Sequence, residues 1–281
     1  MVDCIIIGSG VAGISAALTL KANGKTALIF GSKELSEKIE KAELIQNYPG
    51  LSNVTGKEFV VALKRQLESA EIEINDEKAS GVYAMKEKFA VATQQGGMYE
   101  SRTVILACGV ESVKQIDGED TFLGRGVSAC ATCDGFLYKG KTIAVFCTSK
   151  RLEHEIGYLA DIAEKVYLIP MYKGVEIARQ NIEIIRKMPT KIDGTKRVER
   201  VYFGQTFVEI DGMFVLRDCT SPAVLVGGLE MQDGHVKVNR DMSTNLKGCY
   251  AAGDCTGRPY QYAKAVGEGN VAAHSVSEFL K

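Results

Sequence analysis

The sequence predicts an α/β protein built around two strand–helix–strand units. Three observations carry that prediction. A short apolar run at the N-terminus ends in a glycine-rich turn that opens a helix. A second unit of the same shape starts at Thr142. The last third returns to short strands before one closing helix.

In the first unit, Asp3 to Ile7 reads as a buried strand. GSGVAG follows from Gly8 to Gly13, and Ile14 to Ala22 carries apolar residues at helical spacing. Asn23-Gly24 is a C-terminal stop signal, and Thr26 to Phe30 is the next strand. Glycines so placed, between a strand and a helix N-terminus, fit the seat of a dinucleotide pyrophosphate. In the second unit, Thr142 to Phe146 is the strand, Leu152 to Ala163 the helix, and Val166 to Ile169 the following strand. Its turn, Cys147-Thr148-Ser149-Lys150-Arg151, has no glycine. Each Cβ then stands where a pyrophosphate would have to approach, so the unit is kept and its dinucleotide seat lost. Further on, Met213 to Leu216, Val224 to Val226, Val236 to Val238 and Gly248 to Ala252 read as strands. The closing helix runs from about Ala263 to Leu280.

The chain has 281 residues, enough for one large or two medium domains. Its 34 basic and 35 acidic residues nearly cancel, which excludes the strong basic excess of a dedicated nucleic-acid binder. No apolar run approaches the ~20 residues of a membrane span, and no secretory leader is read at the N-terminus. The eight cysteines are scattered through strand-like settings rather than spaced as a disulfide framework, so a cytoplasmic location is expected.

Cys130-Ala-Thr-Cys133-Asp134-Gly135 is the sharpest local motif. Two residues between thiols suit redox exchange, half of a metal site, or a structural pair. Zinc needs two further ligands. There is no second such pair, and His154, His235 and His274 are isolated, so no metal is expected. Redox exchange gains from the dinucleotide turn in the same chain, because flavin passes electrons to sulfur.

With these motifs together, the chain resembles the low-molecular-weight thioredoxin reductase family over essentially its whole length. The matching pieces are GSGVAG at Gly8, NYPG at Asn47, LACG at Leu106, GRGVSACATCDG at Gly124 and AAGDCTGRPYQYA at Ala251. The resemblance implies two Rossmann-like, glutathione-reductase-type three-layer domains, the second inserted in the first. Residues 1–112 and 220–281 would form the FAD-binding domain, and 113–219 the inserted one. It also implies a homodimer. Gly8, Gly10, Ala12 and Gly13 would meet the FAD pyrophosphate, and Phe30 and Gly31 the adenosine ribose. Asn47, the Ala107-Cys108-Gly109 turn, Gly253, Asp254, Tyr262 and Ala263 would lie toward the flavin. Cys133 would exchange electrons with the flavin, Cys130 would attack thioredoxin, and Asp134 would serve as acid and base.

The departures lie in the middle. Members that use NADPH carry a glycine-rich turn and a basic clamp where this chain has CTSKR and Pro170-Met171-Tyr172. In this the chain is most similar to the ferredoxin-dependent flavin thioredoxin reductases, which implies reduced ferredoxin as donor and thioredoxin as acceptor. Two other readings stand beside this one: an NAD(P)H-dependent thioredoxin or small-disulfide reductase with a divergent nucleotide site, and a flavoprotein redox sensor without turnover. Arg179 to Arg200 holds seven basic against three acidic residues and is a candidate docking face for an acidic ferredoxin, with Lys150 and Arg151 as the alternative.

Overall fold

The computed structural model describes residues 1–110, 116–217 and 221–281. The chain divides into two compact units, Met1–Val110 with Ser221–Lys281, and Glu111–Thr220. The expected boundaries at 112/113 and 219/220 fall on segments outside the described residues.

The first unit is organised by one sheet. Its order is Ile74–Asn75, Ala27–Phe30, Val2–Ile7, Met98–Leu106, Phe89–Thr93 and Ala79–Ala84, with Cys249–Ala251 also on Met98–Leu106. Met98–Leu106 changes partner along its length. Met98 to Ser101 pair antiparallel with Phe89–Thr93, while Val104 to Leu106 pair parallel with Cys249–Ala251. Successive side chains of the first strand face opposite ways, as a pleated strand requires. Cys4 and Ile6 join the core beneath the helices, and Ile5 and Ile7 join the core beneath the antiparallel strands.

Two helices pack on the first of those faces, Val11–Ala22 and Tyr262–Phe279. They approach closely because the contact is made of small residues. A Cβ on Gly269 would lie 2.2 Å from the Ala12 carbonyl oxygen. Polar pairs fix the register: Ser15 Oγ donates to the Val266 carbonyl at 2.7 Å, and Asn270 Nδ2 to Thr19 Oγ1 at 3.0 Å. A third helix, Gly56–Ser69, starts on a capping box between Thr55 and Glu58 and lays Phe59 against Tyr48 and Tyr262.

The second unit is a three-layer sandwich. Its parallel sheet has the order Ile182–Ile184, Lys165–Pro170, Thr142–Cys147, Gly212–Leu216 and Val127–Ser128. Ile143, Val145 and Cys147 face the helix Glu153–Ile162. Ala144 and Phe146 face an antiparallel sheet of Lys191–Gly194, Val198–Phe203 and Thr206–Glu209. Arg217 closes the unit through a buried bidentate pair with Glu119, at 2.6 and 2.8 Å. The α/β class and the two-unit, three-layer fold are as expected.

Two expected elements differ. Val224 to Val226 is not a strand: Pro222–Leu225 is a one-turn helix, because Pro222 sets the φ of a first helical turn. Only Val226 bridges to the sheet, at Val82. The expected Val236–Val238 strand shortens to His235–Val236, the second arm of a hairpin with Met231–Gln232. Asp233 and Gly234 both take positive φ at its tip, the usual Asp-Gly turn.

The helix crossing gives a stability prediction. Gly269→Ala gains ~1 kcal/mol of helix propensity, but its methyl overlaps backbone and forces the two helices apart, at ~1–3 kcal/mol or more. A net loss on urea unfolding is expected; equal or greater stability would contradict the close crossing.

Candidate active site

Four strands of the first unit end at one level. Ile7 pairs with Phe30 and with Leu106, and Leu106 with Ala251. The residue after each strand continues the ladder onto its neighbour. Gly8 N–H donates to Phe30 O at 2.8 Å, Ala107 N–H to Ile7 O at 2.8 Å, and Ala252 N–H to Leu106 O at 2.9 Å. This edge carries the expected Gly8–Gly13, Phe30–Gly31, Ala107–Gly109 and Gly253–Asp254 segments. It is the carboxyl edge of a parallel sheet, where such folds hold ligands.

The glycines of the first turn have separate tasks. Gly8 has φ +119°, and a Cβ there would meet Ala107 O at 2.1 Å. A Cβ on Gly13 would meet Gly8 O at 1.9 Å, so Gly13 lets the helix sit on its own turn. Gly31, at φ +156°, lies against Ser9. Gly10 differs from these. A Cβ there would meet nothing within 4 Å. Gly10 is also the N-cap of the helix Val11–Ala22, with no side-chain cap and no acidic residue in the first turn. The orphan N–H groups and positive end of that helix thus open on free space, which fits a pyrophosphate.

Phe30 contributes only backbone here. Its side chain is fully buried, edge-on to Tyr99 at 4.9 Å. Cys108 Sγ lies 3.7 Å from the Ile7 carbonyl, in the geometry of a structural thiol. Asn47 Nδ2 donates to Gln261 Oε1 at 2.6 Å, and Gln261 is the N-cap of the closing helix. Tyr262 and Ala263 begin that helix, and Tyr262 also donates to the Lys38 carbonyl at 3.3 Å.

The turn carrying Asp254 is held by a pair that the sequence reading missed. Lys264 and Glu268 lie one helical turn apart at 3.1 Å, each about one-fifth exposed. Glu268 accepts from Gly253 N–H at 2.9 Å and Thr256 Oγ1 at 2.8 Å. Lys264 donates to the carbonyls of Gly253 and Gly257 at 2.8 and 2.7 Å. Their i, i+4 spacing was the available signal. Asp254 itself is held above the ordinary carboxylate range, chiefly by desolvation, against the lowering pull of Lys38 and Lys264.

In the second unit, Cys130 and Cys133 form a disulfide, with Cα atoms 5.3 Å apart. Cys130 is the N-cap of the one-turn helix Ala131–Asp134, and its sulfur accepts from Cys133 N–H at 3.2 Å. Ser128 Oγ holds the preceding backbone at Cys130 N, 3.1 Å away. Gly135 lets the turn press on the next helix, since a Cβ would meet the Tyr158 ring at 2.8 Å. Asp134 follows directly, partly buried. Among the described residues, Cys4, Cys249 and Cys255 are instead pushed up to about 12 by burial and stay thiols. No cluster of three or more metal-ligating side chains occurs among the described residues, and no described helix is long and apolar enough to cross a membrane.

The family described as pyridine nucleotide-disulphide oxidoreductase matches residues 2–152 and 172–269. The chain belongs to that family. The unmatched stretch between them covers the helix and strand that follow the glycine-free turn. A ferredoxin-flavin thioredoxin reductase from Clostridium acetobutylicum superposes with a TM-score of 0.91, at 46% identity, over 99% of this chain and 98% of that one. A second structure so described from the same organism gives 0.92 at 43% identity, over 99% and 97%. A thioredoxin reductase of Mycoplasma genitalium is 30% identical over 98% of this chain and 94% of its own. Members of this group are FAD-binding flavoproteins, and the open helix end at Gly10 with the carboxyl-edge turns fits FAD as this chain's cofactor.

Asp254 supplies a test with a defined sign. Its folded-state pKa is raised, so its contribution to stability is present at low pH and lost as pH rises through the raised value. Asp254→Asn removes the cost of a desolvated charge. The FAD-free protein is therefore expected to unfold at a higher temperature than wild type near pH ~7, with the difference gone below the ordinary Asp range at pH ~3. A variant less stable at neutral pH would contradict the assignment. Lys264→Met should loosen the same turn and weaken FAD retention on gel filtration, whereas undiminished retention would deny the pair that role.

Proposed function

We propose that this chain is a flavin-dependent thioredoxin reductase that takes electrons from reduced ferredoxin. The observation that carries this reading is the contrast between its two turns. The Gly8–Gly13 turn leaves a helix end open for FAD, while the Cys147–Arg151 turn offers no seat for a pyridine nucleotide. The likeness to the two Clostridium acetobutylicum proteins, whose descriptions name ferredoxin, supports it. The energetics agree: ferredoxin at about −400 mV and thioredoxin at about −270 mV differ by ~130 mV, roughly 6 kcal/mol for two electrons.

FAD, when bound, collects single electrons and delivers them in pairs. The chain's own residues do the rest. Two electrons and two protons open the Cys130–Cys133 disulfide, with Cys133 the sulfur assigned to the flavin and Asp134 the group that passes protons. The Cys130 thiolate attacks a thioredoxin disulfide and forms a mixed disulfide. The Cys133 thiolate then displaces it, releases dithiol thioredoxin and restores the Cys130–Cys133 bond.

A second reading rests on the curated relatives at about 30% identity, which are described simply as thioredoxin reductases, and on the retained parallel sheet of the inserted unit. It makes the chain NAD(P)H-dependent. Anaerobic titration separates the two. Flavin bleaching is expected with reduced ferredoxin and not with NADPH or NADH; thioredoxin reduction in step with NADPH consumption would overturn the first reading.

The order of the thiols is tested by variants. Cys130→Ser should abolish thioredoxin reduction and trap no mixed disulfide. Cys133→Ser should keep FAD and accumulate the mixed disulfide through Cys130. Trapping through Cys133 instead would reverse the roles.

Three of the seven basic residues between Arg179 and Arg200 are engaged by carboxylates: Arg179 by Asp161, and Lys191 and Arg200 by Asp193. Arg186, Lys187, Lys196 and Arg197 are exposed and have no ion pair among the described residues, so any steering of an acidic ferredoxin by this segment falls to them. Charge reversal at all four should slow flavin reduction by ferredoxin and flatten its salt dependence, leaving thioredoxin exchange intact. Stopped-flow rates indifferent to both would exclude the segment.

A further inference from the structure

The two strand–helix–strand units can be compared residue by residue from the end of the first strand of each. Phe146 pairs with Ile169 on one side and Val215 on the other, as Ile7 pairs with Phe30 and Leu106, and like Ile7 it lies on the face away from the helix. Thr148 N–H continues the ladder onto Leu216 O at 3.0 Å, and Met171 N–H onto Cys147 O at 2.8 Å. Counted from Phe146, the residues Cys147, Ser149 and Leu152 stand where the first unit has Gly8, Gly10 and Gly13, and Glu153 follows directly.

A Cβ could not fit at Gly13 in the first unit. The second unit accommodates a side chain there, Leu152, by a different route. Lys150–Leu152 form a 3-10 turn, capped at Arg151 N–H by Ser149 Oγ, and the α-helix starts only at Glu153. The Glu153 carboxylate is then held in place. Its Oε1 accepts from the Tyr172 hydroxyl at 3.0 Å and from Glu176 N–H at 3.2 Å. Glu176 in turn pairs with Lys150 at 2.5 Å. Tyr172 stands in the Pro170–Tyr172 stretch that follows the second strand, and burial pushes its phenol well above the ordinary tyrosine range, so it remains a donor.

We propose that Glu153 is a specificity-determining residue: its carboxylate, fastened by Tyr172 and the Glu176 backbone, closes the inserted unit to the phosphates of a pyridine dinucleotide. This deepens the ferredoxin reading and rests on it. The closure works in two ways. A carboxylate in the first turn of the helix Glu153–Ile162 satisfies the positive helix end from within the chain. The same carboxylate, with Glu155 in that turn and Glu176 beside it, repels an incoming phosphate. Lys150, in the turn that leads into this helix, is already paired with Glu176. The first unit does the reverse, with no acid in its first helical turn and no capping side chain.

The test uses the FAD-loaded protein and inorganic pyrophosphate, a probe of the seat alone, read by isothermal titration calorimetry. Wild type should show no saturable binding at millimolar pyrophosphate. Glu153→Ala with Glu176→Gln frees Lys150 and removes two carboxylates, and should bind pyrophosphate at least about tenfold more tightly than wild type, with affinity falling as salt rises. Tyr172→Phe, which removes one hydroxyl and leaves the packing, should show a smaller gain in the same direction and covers the case in which the double variant does not fold. No gain in a folded variant, or wild-type binding equal to that of the variants, overturns the proposal. Bleaching of the wild-type flavin by NADPH is a different result and overturns the ferredoxin reading instead.

Discussion

The first unit depends on how closely the backbone at Gly8 passes the Ala107 carbonyl. A single methyl at that point would overlap the carbonyl oxygen, and the ladder linking Ile7, Phe30, Leu106 and Ala251 at one level would have to open. With the ladder closed, four chain segments distant in sequence end on one edge, and the helix Val11–Ala22 begins within the same turn. The position of Gly13 against Gly8, and of Gly269 against Ala12, extends that constraint through two helices. The functional edge follows from a chain of close backbone contacts more than from any single polar side chain.

The two units show opposite uses of the same element. At Gly10 the helix end is left for something outside the chain; at Glu153 it is satisfied by the chain itself. The thiols divide in the same manner. Cys4, Cys249 and Cys255 are buried so deeply that the thiolate is inaccessible at physiological pH. The Cys130–Cys133 pair lies at the start of a one-turn helix with Cys133 exposed and a backbone donor aimed at the Cys130 sulfur. The difference in surroundings is the one expected if the pair is the redox site and the buried thiols are structural.

What could be read from the sequence was what local rules govern. GSGVAG between an apolar run and a helical pattern located the first turn, and the missing glycines at Cys147–Arg151 marked the second as altered. The two-residue spacing located the thiol pair. Pro222–Leu225 was misread because its apolar residues suit a strand, while the proline at its start decides for a turn of helix. The burial of the Phe30 side chain was missed because a strand end exposes backbone without exposing the residue. The Lys264–Glu268 clamp was readable as an i, i+4 pair, but its target, the Gly253 peptide, is brought there only by the fold. The Tyr172–Glu153 bond was beyond reach for the same reason: it depends on two strand ends lying side by side, which sheet register alone decides.

The closing helix has a consequence in time. The strands Val2–Ile7, Ala27–Phe30 and Met98–Leu106 emerge early in synthesis, yet Cys249–Ala251 and the helix Tyr262–Phe279 that complete their sheet and cover Ala12 and Ala16 come last. At typical translation speeds the ribosome needs roughly 10 to 30 s to make the intervening chain. For that interval one face of the N-terminal sheet and helix stays apolar and uncovered, while the inserted unit, continuous in sequence, is free to fold. The inserted unit can therefore complete its core while the unit that flanks it in sequence still waits for its last strand and helix.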